Sequence, residues 1–171
     1  MLDALITSKT RLKLLLKFFL NPSNTAYLRG LAIEFSESTN SIRIELNRLE
    51  KAKMLEASFE GNKKIFRVNK SHPLFNDLQA IVHKYVGLDI IIERILKKLG
   101  NIKEVYLVGH LAEGLNSNKI ELLIKGNFDH IYLKSLIQKV ESTVGKKVVY
   151  KEINDLSKSD IPLNALKIFS L

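Results

Sequence analysis

The hydrophobic period changes at residue 53, and this limits what the chain can fold into. Up to Lys51, apolar residues recur every three or four positions, the spacing of one helix face. Beyond Lys53, Met54 to Glu60 and Lys63 to Asn69 are extended runs rich in Phe, Ile and Val, joined through Glu60-Gly61-Asn62. Gly and Asn permit the positive φ that a tight hairpin needs. Helices must therefore come first, and a two-stranded ribbon after them.

Three helices are expected before the hairpin. The first carries Leu5, Leu12, Leu15, Leu16 and Phe19, with Lys9, Arg11, Lys13 and Lys17 on its other faces. Asn21-Pro22-Ser23-Asn24 ends it, because proline disfavours helix in the residue before it. Thr25 is the expected cap of a second helix through Leu28, Leu31, Ala32 and Phe35. After a polar break from Ser36 to Asn40, a third helix has Ile42, Leu46 and Leu49 on one face. Its opposite face carries Ser38, Asn40, Ser41, Arg43, Asn47, Arg48 and Lys51.

Three helices followed by a hairpin with a basic tip is the winged helix-turn-helix order. A helix that enters a major groove needs short polar side chains in its N-terminal half, so that the backbone can approach base edges. Cations further along can then reach phosphates. Ser38, Thr39, Asn40, Ser41, Arg43 and Asn47 are accordingly expected toward bases. Arg48, Lys51, Lys63, Lys64 and Lys9 are expected on phosphates. For any single residue, a solvated helix face is the competing explanation; the order of elements carries the reading.

Tyr27-Leu28-Arg29-Gly30-Leu31-Ala32, Ser41 through Lys51 and the closing Phe66-Arg67-Val68-Asn69 resemble winged-helix repressors of the ArsR/MarR-like groups. The metal-sensing branch of those repressors uses cysteines, and this chain has none. The lack of cysteine also excludes a disulfide scaffold, a zinc finger and a thiolate nucleophile.

Residues 71–100 read as a helical connector. Ser71-His72-Pro73 can start a helix through Leu74, Leu78, Ile81, Val82 and Tyr85. Gly87 interrupts it, and a second apolar stripe runs through Leu88, Ile91, Ile92, Ile95 and Leu99. His72 and His83 are isolated and read as capping or packing residues. The connector could carry a dimer interface, presenting two reading heads to a twofold site, or clamp two domains of one chain together.

Residues 101–171 read as a small α/β layer: strands over Ile102 to Val108, Lys119 to Lys125 and Lys147 to Ile153, with a helix from Ile131 to Thr143. A loop and a short closing helix through Leu163, Leu166 and Phe169 are expected over Asn154 to Leu171. The run from Val105 through Gly109, His110 and Gly114, followed by Lys119-Ile120-Glu121, resembles the polymerase-β-like nucleotidyltransferase superfamily in its spacing. That family's motif implies a serine where His110 stands, and an Asp-x-Asp pair where Lys119 and Glu121 stand. Alternating carboxylates share one face of a strand and jointly hold the divalent ions of phosphoryl transfer. An ammonium at one of those positions removes a ligand and adds a repelling charge.

No catalytic residue, metal site or cofactor is therefore expected. Gly109, His110, Lys119 and Glu121 remain candidates for a small phosphate-bearing ligand, beside a ligand-free folding and dimerisation platform. The whole chain resembles a family of bacterial transcriptional regulators, which implies double-stranded DNA as partner.

Charge agrees with that partner. Residues 1–70 hold 13 basic and 7 acidic side chains (13 − 7 = +6), and residues 71–171 hold 14 and 11 (14 − 11 = +3), giving +9 overall. A basic domain is the footprint of a phosphate-backbone binder. No apolar run approaches the roughly 20 residues of a membrane span, and Met1 to Leu20 has basic residues throughout, unlike a signal peptide.

The expectation is an α+β, cytoplasmic, homodimeric DNA-binding regulator. It would comprise a winged helix-turn-helix (1–70), a connector (71–100) and a degenerate nucleotidyltransferase-like domain (101–171). The competing readings are an active nucleotidyltransferase using Glu121 and Glu152, and an antitoxin-like module whose basic half binds an acidic protein.

Overall fold

A computed structural model describes residues 2–153 and 161–170. The chain is α+β and separates into two compact units, Met1–Val82 and His83–Leu171.

In the first unit, α1 (Leu2–Leu5) precedes α2 (Lys9–Leu15), which runs into a π-helical turn (Leu16–Leu20). The expected single first helix is thus broken before Lys9, where Ser8 caps α2 by accepting from the Arg11 amide at 3.2 Å. Leu5, placed on the apolar face by its spacing, is 81% exposed. Leu14, Phe18, Phe19 and Leu20 are fully buried.

The second helix also starts later than expected. Thr25 does not cap it: Ala26–Tyr27 form a short strand, β1, and α3 runs Leu28–Phe35 with Tyr27 as its extended N-cap. Tertiary pairing decides this, since Ala26 and Tyr27 lie opposite Phe66 and Ile65. Then come α4 (Thr39–Lys51), β2 (Leu55–Glu60) and β3 (Lys63–Val68), as the change of period predicts. Gly61, at φ 57°, turns the hairpin, and the sheet is antiparallel in the order β1-β3-β2. Phe75, on α5 (Phe75–Val86), packs on Phe19 with ring centroids 6.0 Å apart. The His72 ring accepts from the Leu74 amide at 3.1 Å just before this helix.

In the second unit, Gly87 (φ 89°) separates α5 from α6 (Leu88–Arg94). A 3₁₀ turn (Leu96–Lys98) leads to β4 (Ile102–Val108), α7 (Gly109–Ala112), β5 (Lys119–Gly126), α8 (His130–Val144), β6 (Lys147–Ile153) and β7 (Leu166–Ser170). The sheet order is β6-β5-β4-β7, with β5 and β6 parallel and the other pairs antiparallel. Asp129 caps α8 by accepting from the amides of Ile131 and Tyr132, and Gly145 ends it in the left-handed region.

The closing helix expected through Leu166 and Phe169 is instead the strand β7. Its backbone completes the free edge of β4, with Leu107 opposite Leu166 and Val105 opposite Phe169. A three-residue apolar spacing over so short a stretch cannot outweigh a row of unpaired backbone groups on a neighbouring strand. The rest of that expectation, from Asn154 to Asp160, lies outside the described residues.

Candidate functional site

Helix α4 begins at Ser38, whose hydroxyl accepts from the Ser41 amide at 3.2 Å and lies 2.9 Å from the Ser41 hydroxyl. Ile42, Leu46 and Leu49 are buried, and Ser38, Thr39, Asn40, Ser41, Arg43, Asn47, Arg48 and Lys51 are all exposed. The polar face expected for this helix therefore stays open to solvent within its unit.

Sequence reasoning missed the residue that sets this helix in place. Glu45 lies on the apolar stripe and is buried. Arg11 grips its carboxylate with Nε at 2.9 Å and a terminal guanidinium nitrogen at 3.2 Å, the Ser8 hydroxyl donates at 2.9 Å, and Arg48 adds a contact at 3.1 Å. Burial raises the Glu45 pKa, but the hydrogen bonds from Arg11 and Ser8 outweigh it and hold the carboxyl below its ordinary value. The signal was there to read: Ile42, Glu45, Leu46 and Leu49 follow a core spacing that includes one acid.

The cations of the first unit divide into two groups. Lys17 reaches Glu34 at 2.6 Å, Lys13 reaches Glu37 at 2.6 Å and Arg11 holds Glu45, so α2 and the π turn are largely neutralised internally. Lys9, Arg29, Arg43, Lys51, Lys53, Lys63 and Lys70 have no carboxylate partner among the described residues, and Arg67 lies 3.6 Å from Glu56; Lys63 instead lies 4.7 Å from the Tyr27 ring centre. Two expected phosphate contacts are engaged elsewhere: Lys64 sits 2.7 Å from Glu50, and Arg48 is on Glu45.

Two adjoining clefts gather Arg29, Arg43, Lys63 and Lys64. One, of about 190 Å³, is lined by Leu28, Arg43, Leu46, Asn47, Lys64 and Phe66. The other, of about 520 Å³, is lined by Tyr27, Leu28, Arg29, Asn62, Lys63 and Lys64. They share Leu28 and Lys64, and they bring in Arg29 and Asn62, which are not among the contacts expected from the sequence.

The candidate ligand residues of the second unit are arranged differently. Gly109 (φ 69°) follows β4, and the Glu121 carboxylate occupies the space that a Cβ at Gly109 would need. Val108 and Glu121 are cross-strand partners, which explains the close approach. His110 and Lys119 are exposed. The parallel register pairs Glu121 with Val149 and Ile124 with Glu152. Glu152 is three positions beyond the partner of Glu121, so the two carboxylates point to opposite faces of the sheet. Glu152 pairs instead with His130 at 3.2 Å, whose other ring nitrogen lies 3.1 Å from the Tyr150 hydroxyl. Among the described residues, no three His, Asp or Glu side chains converge as a metal site.

No protein-family model and no curated protein matches the chain. Among solved structures it is similar to AF1382 from Archaeoglobus fulgidus, at 21% identity over 54% of this chain and 98% of that one, with a TM-score of 0.39. A superposition that loose defines neither fold nor function. No helix among the described residues is long and apolar enough to cross a membrane.

Proposed function

We propose that the chain is a DNA-binding transcriptional regulator whose first unit is a winged helix-turn-helix, with α4 as its reading helix and the β2–β3 hairpin as its wing. The observation that carries this reading is the division of charge. Arg11 and Lys13 of α2 and Lys17 of the π turn are neutralised by neighbouring acids, whereas Arg29, Arg43, Lys51 and Lys63 have no carboxylate partner among the described residues. The clefts beside α4 and the hairpin gather three of these four with Lys64. An unneutralised cationic surface around a short-side-chain helix terminus suits a phosphate backbone flanking exposed base edges.

In this reading Ser38, Thr39, Asn40, Ser41, Arg43 and Asn47 face the bases. Arg43 is suited to guanine O6 and N7. Lys51, Lys63, Lys64 and Arg29 hold phosphates, and Arg48 divides its charge between Glu45 and the backbone. The second unit is a nucleotidyltransferase-like domain without catalysis, serving dimerisation or ligand sensing in a cytoplasmic homodimer. The opposed faces of Glu121 and Glu152 support its lack of a two-carboxylate centre.

Fluorescence anisotropy with labelled duplexes across a salt series tests the proposal. Four phosphate contacts per protomer predict a slope of log K against log salt of about −3.6 for each protomer bound, at ~0.9 per contact, and about twice that for a homodimer on a twofold site. No binding to any duplex at low salt, together with capture of an acidic protein, would overturn it in favour of the antitoxin-like reading.

A further inference from the structure

The outward face of α4 is polar or charged at every described position except Ile44, which is 45% exposed. At 3.6 residues per turn, Asn40, Ile44, Asn47 and Lys51 fall in one stripe. It runs opposite the buried stripe of Ile42, Glu45, Leu46 and Leu49. Single exposed apolar side chains are ordinary on protein surfaces. What sets Ile44 apart is its place between two asparagines, at the centre of the surface left open. Helix propensity does not favour a β-branched residue there over Lys, Gln or Glu.

In a major groove the apolar group is the 5-methyl of thymine, and the side chains that match adenine N6 and N7 in bidentate fashion are Asn and Gln. Asn40 and Asn47 are seven residues apart, about 10 Å along the helix, or roughly three base steps of ~3.4 Å. Resting on the DNA-binding reading above, we infer that Ile44 is a specificity-determining residue that packs on thymine methyl groups, inside an A·T-containing core read by Asn40 and Asn47.

The experiment selects duplexes from a randomised library with the full-length protein, then compares a selected duplex with the same duplex carrying deoxyuridine for thymine. The exchange deletes only the major-groove methyl. Wild type should lose affinity about fourfold per contacted thymine, the value of one buried methyl. Ile44→Ala should bind the two duplexes alike, and Ile44→Val should fall between. Ile44 is exposed, so an unchanged circular dichroism spectrum and melting temperature are expected for both variants. A wild type indifferent to deoxyuridine, a selected core without A·T pairs, or full methyl sensitivity retained in Ile44→Ala would each overturn the inference while DNA binding stands. Failure to select any duplex would instead remove the reading on which it rests.

Discussion

Arg11 on α2 donates two hydrogen bonds, at 2.9 and 3.2 Å, to the carboxylate of Glu45, which is 34 residues away on the buried side of α4. The pair is asymmetric: the Arg11 side chain is 37% exposed, and that of Glu45 is 7% exposed. Removing Glu45 returns a guanidinium to water, whereas removing Arg11 leaves a buried carboxylate short of partners. Arg11→Ala should therefore destabilise the protein more than Glu45→Gln, by about 2–3 kcal/mol against about 1–2. Urea unfolding of both variants and wild type measures the difference, and equal losses would remove the asymmetry.

The same contact makes stability depend on pH. Burial raises the pKa of Glu45 and of Glu37, but hydrogen bonds from Arg11 and Ser8, and from Lys13 and Thr10, bring both below the ordinary value. A carboxyl depressed in the folded state stabilises above its unfolded pKa of about 4.3, and that stability is lost as pH falls through the folded value. The urea midpoint should stay nearly level from neutral pH down to about 5 and then fall. In Glu45→Gln the acid-side fall should be shallower.

Lys63 and Lys64 are adjacent in sequence but differ in what holds them. Lys64 is paired with Glu50, whereas Lys63 lies over the Tyr27 ring. Lys63→Ala should weaken every duplex alike and flatten the salt slope by ~0.9 per bound protomer. Glu50→Gln should tighten binding a few-fold, because it releases Lys64 and removes a repelling charge. Tightening absent in Glu50→Gln but present in a Glu56→Gln control, which frees Arg67 from its 3.6 Å pairing, would place the phosphate contacts elsewhere on the hairpin.

Gly109 bears on the second unit. A Cβ there would collide with the Glu121 carboxylate, and its φ of 69° disfavours any L side chain. Gly109→Ala should lower stability by about 2 kcal/mol or more. Adding Glu121→Ala should recover the steric part and leave about 1–2 kcal/mol of backbone strain. Thermal melts of the single and double variants read this directly. With Mg²⁺ or Mn²⁺ and labelled nucleotides, wild type should show no transfer above a Glu121→Ala control.

Elements set by neighbouring residues were legible in the sequence. Ser38 and the apolar spacing from Ile42 to Leu49 define α4. Gly61 and Asn62 place the hairpin turn, and Lys119–Gly126, His130–Val144 and Lys147–Ile153 lie within a residue or so of their expected bounds. The exposed face of α4 follows from the same spacing. Each of these depends on side-chain period, capping or turn geometry, which act over a few residues.

Where distant segments compete for the same backbone groups, the tertiary structure decided. Tyr27 joins β3 rather than lying in a helix capped by Thr25, and Leu166–Ser170 forms a strand because β4 offers an open edge. Burial of Glu45 required Arg11 to arrive from α2, and only the pairing of β5 with β6 set Glu121 and Glu152 on opposite faces. The residue pattern by itself determined the local elements and their order. The pairing of charges and the facing of carboxylates were left to the fold, because backbone hydrogen bonds and ion pairs between remote segments have no periodic trace in the sequence.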